Sequence, residues 1–347
     1  MTFYLLFIFA LCIYGVTVYQ KPDFCKDYLS RENTMSVRGI FVFFVIAQHF
    51  VTYVELHSTY DVFYMHLRQF LGQNIVTIFL FYSGYGVYES IKKKGQDYIQ
   101  KMPVKRILLT LIHFDSAVLL FYIMNELLGK HYPLKQTLLA FTGWTSIGNS
   151  NWYVFAVLCT YLFTWFAFAV FRKYPIAALM VTTLLTLAYI VIVHHYRPQE
   201  GWWYNTILCY PAGMWYSYFK KKIEKLLFNE KYPIYYVILL ASVIAVIIGR
   251  PYIGKLSVYI IWTLCFTFMV ILLTMKISVH NKILNWFGMY IFELYILQRI
   301  PMTVFRNIGL KSRPYIFLLC SLASTIVLAW LFKKVLNYID QKVLGLF

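Results

Sequence analysis

The chain has 347 residues, of which 61% are hydrophobic and 13% charged, against roughly 25% charged in soluble domains, a balance that excludes an ordinary water-soluble fold. A soluble chain of this length would usually divide into two domains; repeated apolar runs of about twenty residues instead define one all-α, polytopic transmembrane helix bundle with no soluble domain. The net charge of +18 sits in blocks that flank the apolar runs, where lysines and arginines anchor topology and meet anionic headgroups; with no zinc-finger spacing or other recognition module beside them, the partner they imply is a lipid bilayer and not nucleic acid.

In chain order, ten or eleven spans are expected. The first, residues 2–20, has no basic stretch ahead of it and Lys21 behind it, so it reads as a retained helix rather than a cleaved leader; with its following loop it makes an N-terminal unit, 1–36. The second, 37–56, holds Arg38 and His49 with nothing charged between them. At 3.6 residues per turn, eleven steps return to within ~20° of the starting face and cover about 16 Å. Both side chains therefore point the same way, the arginine at a helix end and the histidine near mid-membrane depth. Ionisable groups so placed cost a few kcal/mol each and are functional candidates. The third span, 71–91, carries Tyr82 and Ser83 and runs into Lys92-Lys93-Lys94. Lys105 and Arg106 precede the fourth, 107–128, in which His113 and Asp115 lie two apart and cannot share a helical face. Residues 129–151 form the longest outer loop, and its end, Thr142 to Asn151, is rich in small hydrogen-bonding groups. Trp152 opens the fifth span, 152–171. Further spans follow at 175–195, 203–219, 233–249, 256–275, 283–299 and 315–334, with Glu293 inside the tenth and a short tail, 335–347.

With the N-terminus outside, the inner segments carry the greater part of the 32 lysines and arginines, the pattern of a multi-pass plasma (inner) membrane protein with a cytoplasmic tail. Arg299, Arg306, Lys311 and Arg313 break the rule by falling outside, where they could line a pocket. Cys12, Cys25, Cys159, Cys209, Cys265 and Cys320 are scattered without CxxC or metal-ligand spacing, so no metal is expected.

A guanidinium stays charged and presents a planar fork suited to phosphates. At one membrane face Arg38, helped by Lys105 and Arg106, could hold a phosphate-bearing group, while a histidine some 16 Å deeper has the chemistry of a general base for a hydroxyl. A long donor with phosphates at one end and a reactive group at the other matches that spacing, and acyl-coenzyme A has this shape. A snorkelling Arg38 and a His49 bonded to a neighbouring helix explain the same residues without chemistry.

The Arg38-x10-His49 pair resembles the signature of the acyltransferase 3 family of membrane proteins. Three further elements agree in order: Phe79 to Tyr85, containing Ser83 and Gly84, is similar to that family's aromatic Ser-Gly-Phe/Tyr helix; Asn151-Trp152-Tyr153 resembles its Trp-Phe/Tyr element; and Phe287 to Gln298, with Glu293 and Tyr295, looks like its late helix. The resemblance spans roughly 36–334. It implies transfer of an acyl group, acetyl by default and succinyl as the other option, from cytoplasmic acyl-CoA (acetyl-CoA) to a hydroxyl of an extracytoplasmic carbohydrate: exopolysaccharide, capsule, lipopolysaccharide or peptidoglycan. By position it implies that Arg38 orients the donor and His49 is the catalytic base, with no metal involved. Tyr82 or Ser83 is the expected oxyanion donor, and Gly84 a packing position. Glu293, Tyr295, Asn151 and Trp152 are expected to line or contact the substrates, although Trp152 also suits an interface anchor. Gln298 stands where that family commonly has histidine; an amide cannot exchange protons near neutral pH, so contact or orientation is its expected role. The short tail leaves no room for an appended hydrolase-like domain. The competing function is a polysaccharide or solute transporter, or a flippase, with Arg38 capturing an anion and His49 relaying protons; the missing internal repeat counts against it, and the short outer loops count against a glycan polymerase.

Overall fold

Helix α1 (Thr2–Ile13) stops just before Gly15, whose φ of +83° turns the chain into strand β1 (Val16–Val18). In this computed structural model, which describes residues 1–229 and 233–345, β1 pairs antiparallel with β2 (Ile277–Val279), Val16 opposite Val279. A Cβ at Gly15 would collide with the His280 carbonyl, so the glycine serves both the turn and the close approach. With 12 residues, α1 is about 18 Å long and the expected span 2–20 does not form as one helix. Its buried amino terminus pairs with Asp61, which also accepts a hydrogen bond from Tyr315 at 2.8 Å.

Ser30 starts α2 (Arg31–Phe50) several residues earlier than the apolar run suggests, because its hydroxyl accepts from the Asn33 amide and Glu32 complements the positive helix end. The chain continues through α3 (Val62–Leu71) and α4 (Asn74–Lys94). Next, α5 (Gln96–Met102) passes through a widened π turn, Pro103–Leu108, into α6 (Leu109–Leu127). Then come α7 (Leu134–Phe141), α8 (Trp152–Val170), α9 (Pro175–Tyr196), α10 (Cys209–Leu227), α11 (Ile234–Gly249) and α12 (Leu256–Thr274). The expected span 283–299 is broken into α13 (Lys282–Met289), α14 (Ile291–Leu297) and α15 (Arg299–Asn307), before α16 (Pro314–Leu344) closes the bundle.

Among the described residues six helical stretches are long and apolar enough to cross a membrane: 96–127, α8, α9, α11 with its short extension, α12 and α16. Helices α2, α4 and α10 have 20, 21 and 19 residues and a more polar composition. Much of their surface is buried by other helices rather than left to lipid, so the sequence there is free to carry polar groups.

Four glycines set how close these inner helices come. A Cβ on Gly39 of α2 would collide with the Leu284 carbonyl of α13, and one on Gly288 of α13 with the Met35 carbonyl of α2. The same reciprocity joins α4 and α10, where Gly84 abuts the Tyr210 carbonyl and Gly213 that of Phe81. Small residues let two backbones touch in a medium that supplies little other force between helices. Leucine at Gly39 or Gly288 is therefore expected to destabilise the protein by about 3 kcal/mol or more, measured by thermal unfolding in detergent. Gly86→Ala, on α4 but with open space around it, is expected to be neutral or to stabilise by up to about 1 kcal/mol.

Candidate active site

Arg38, Val42 and Val45 follow one another on a single face of α2 and line a cavity of about 430 Å³. Its other walls come from α4 (Tyr82, Ser83), the π turn and α6 (Arg106, His113), α8 (Tyr153, Tyr161), α14 (Glu293, Tyr295) and α16 (Lys333). His49 lies one helical turn beyond Val45 on the same face and is not part of the lining. The lining residue next to it is Tyr295, whose ring centre is 6.1 Å from that of His49. The Nδ1 atom of His49 is buried and makes no hydrogen bond within normal geometry; the Gln298 amide is the polar side chain facing the ring. Gln298 is itself fully buried, donating to the Tyr295 carbonyl at 3.1 Å.

The cavity is cationic. Arg38 lies with its guanidinium 5.4 Å from the centre of the Tyr82 ring. Arg106 donates from Nε to the Tyr98 hydroxyl at 3.0 Å, and among the described residues neither arginine has an acidic partner. The π turn delivers Arg106 to the cavity, as such turns often do at functional positions. Lys105, expected beside it, is exposed instead, because neighbouring residues of a helix diverge by about 100°. Lys333 bonds the Glu293 carboxylate at 3.2 Å and the Met289 carbonyl at 3.0 Å. Glu293 is 5% exposed and its second oxygen has no hydrogen bond. Three cations against one lining carboxylate focus a positive field inside low-dielectric walls. At the rim, His113 meets Asp340 of α16 at 2.6 Å, while Asp115, two residues on, is not part of the lining.

Of the residues singled out from sequence, the cavity gathers Arg38, Arg106, His113, Tyr82, Ser83, Glu293 and Tyr295. Ser83 is hydrogen-bonded to the Tyr161 hydroxyl at 2.9 Å, and Gly84 takes the packing role. Asn151 and Trp152 do not line the cavity. Asn151 ties down the loop before α8, donating to the carbonyls of Gly143 at 2.9 Å and Thr145 at 3.1 Å; Trp152 packs edge-on against Tyr153. Arg299, anomalous by charge topology, bonds the Ser150 hydroxyl at 3.1 Å. Sequence reasoning missed Lys333, Tyr153 and Tyr161 as lining residues. Lys333 sits at the end of an apolar run, where a lysine ordinarily snorkels, and nothing local distinguishes it from Lys334.

The family model for the acyltransferase domain of the acyltransferase 3 family matches residues 36–334. The chain belongs to that family, and it is a multi-pass membrane protein of the acyltransferase class. No curated protein and no solved structure matches it. Because one buried and one half-buried carbonyl depend on the Asn151 amide, Asn151→Ala is expected to lower stability by about 1–3 kcal/mol, read from thermal unfolding; Asn151→Asp, which cannot donate, should lower it as well.

Proposed function

We propose that this protein transfers an acyl group, acetyl by default, from acyl-coenzyme A to a hydroxyl of an extracytoplasmic carbohydrate. The observation that carries this reading is the placement, along one face of α2, of a cation-lined cavity at Arg38 and of His49 one turn past its far end. Arg38, Arg106 and Lys333 would meet the phosphates of the donor, and Tyr82 offers an aromatic face beside Arg38. The lining residues Gly86 of α4 and Lys333 of α16 precede Lys92, Lys93, Lys94 and Lys342 on their own helices, and the positive-inside tendency assigns those lysines to the cytoplasm. The amino terminus then lies outside and the tail inside, in a plasma (inner) membrane. In this reading residues 37–334 are the catalytic unit, and 1–36 an accessory segment.

The chemistry is an acyl substitution. His49 takes the proton of the acceptor hydroxyl as that oxygen attacks the thioester carbon. The C–O bond forms and the C–S bond breaks, and the sulfur leaves as a thiol with the proton returned by the imidazole. No proton acceptor other than His49 is needed, and Gln298, which cannot exchange protons, orients the ring. Exopolysaccharide, capsule, lipopolysaccharide and peptidoglycan all present suitable hydroxyls.

The test is a deletion strain complemented with wild type or variants at equal membrane levels, scoring ester-linked acyl groups on surface glycans and thiol release from acetyl-CoA in membranes. His49→Ala is expected to lower both by about 10²–10⁴-fold. Equal restoration by His49→Ala removes the base from the mechanism. Arg38→Lys keeps the charge and loses the fork, and is expected to raise KM for acetyl-CoA more than it lowers kcat.

A further inference from the structure

The acyl-transfer reading leaves one catalytic element unassigned: the donor that stabilises the negative oxygen formed when the hydroxyl attacks the thioester. Such donors are commonly worth two to three orders of magnitude in rate. The two candidates nearest to hand in sequence are poorly placed. Ser83 is engaged with Tyr161 at 2.9 Å, and Tyr82 lies under the Arg38 guanidinium, about three turns of α2 from His49.

We propose that the Tyr295 hydroxyl is the catalytic oxyanion donor, with Arg299, through Ser150, as the positioning residue that keeps its surroundings positive. Tyr295 both forms a wall of the cavity and touches the His49 ring. It is 6% exposed, held edge-on by Tyr153 with ring centres 5.4 Å apart, and its hydroxyl is buried with no hydrogen bond in normal geometry. A buried donor left unused forfeits about 1–3 kcal/mol and calls for an explanation; a carbonyl at the deep end of the cavity supplies one. The polar groups beside the phenol are the Ser150 hydroxyl and the Tyr153 backbone; Ser150 already accepts from Arg299 Nε at 3.1 Å. Arg299 follows Tyr295 by four residues, at the start of α15. The arginine that breaks the charge rule thus lies where negative charge develops.

The step balances as follows. The acceptor oxygen bonds to the thioester carbon while its proton passes to His49. The carbonyl π electrons move onto the oxygen, which receives the Tyr295 O–H hydrogen bond. When that pair returns, the C–S bond breaks and the thiolate takes the proton from His49. Tyr295 itself neither gains nor loses a proton.

This rests on the acyl-transfer reading, and the experiment separates the two. In membrane vesicles that retain the host's glycans, thiol release is followed with acetyl-CoA and with its dithioester analogue, whose C=S sulfur accepts hydrogen bonds weakly. Tyr295→Phe keeps the ring packing and is expected to lower kcat for acetyl-CoA about 100-fold with KM within twofold of wild type. The ratio of oxygen to sulfur kcat should shrink in the same variant. Arg299→Gln should show the same signature more weakly, with unaltered thermal stability for Tyr295→Phe as the check on folding. A Tyr295→Phe enzyme within threefold of wild type, or one with altered KM alone, or one with an unchanged oxygen-to-sulfur ratio, overturns the proposal while leaving His49 as base. Absence of thiol release from the wild type would overturn both readings.

Discussion

Backbone contact between α2 and α13 is the constraint on which the rest of the structure depends. Gly39 and Gly288 each rest against a carbonyl of the opposite helix, so neither helix can rotate or slide without a steric clash. That locks the azimuth of α2, and with it the face on which Arg38, Val42, Val45 and His49 succeed one another. The same contact explains why the late segment is broken: α13 must lie against α2, while α14 turns to bring Glu293 and Tyr295 into the cavity. The reciprocal pair Gly84 and Gly213 does the same for α4 and α10, fixing the wall that carries Tyr82 and Ser83. In a bilayer, where apolar contact between helices gains little over contact with lipid, close backbone approach is the means of making such positions definite.

The charges are arranged around that frame. Arg38, Arg106 and Lys333 converge from three separate elements, and of these, among the described residues, Lys333 alone has a carboxylate to balance it. At the other end of the same face, the His49 ring meets that of Tyr295, and Arg299, four residues further along the chain from Tyr295, bonds Ser150. The most apolar helices provide most of the lipid-facing surface, while the more polar α2 and α4 contribute walls of the cavity. Tyr295 joins the two regions, lining the cavity and packing its ring near that of His49.

Much of this was legible in the chain itself. The all-α membrane class follows from apolar runs of the right length, and the shared face of Arg38 and His49 follows from helical periodicity alone. The motif order that marks the family is likewise a property of sequence. Other features were not legible, for identifiable reasons. Ser30 begins α2 ahead of its apolar run, and Gly15 ends α1 early because a strand partner lies more than 250 residues away. Lys105 and Arg106 look equivalent in sequence, yet the π turn sends only one inward. Asn151 sits in a motif that suggests substrate contact, but its amide is consumed by its own loop.

The sequence by itself determined the periodic quantities: which residues share a face, how far apart along an axis Arg38 and His49 stand, and which family the pattern belongs to. These depend on backbone geometry that every helix repeats. Tertiary structure alone decided which faces meet. Lys333, Tyr153 and Tyr161 enter the cavity, Lys105 leaves it, Tyr295 comes to lie against His49, and Arg299 turns toward Ser150. Each of these depends on how helices distant in sequence are rotated against one another. That rotation is set by a few glycine contacts and a widened turn, whose effects cannot be summed along the chain.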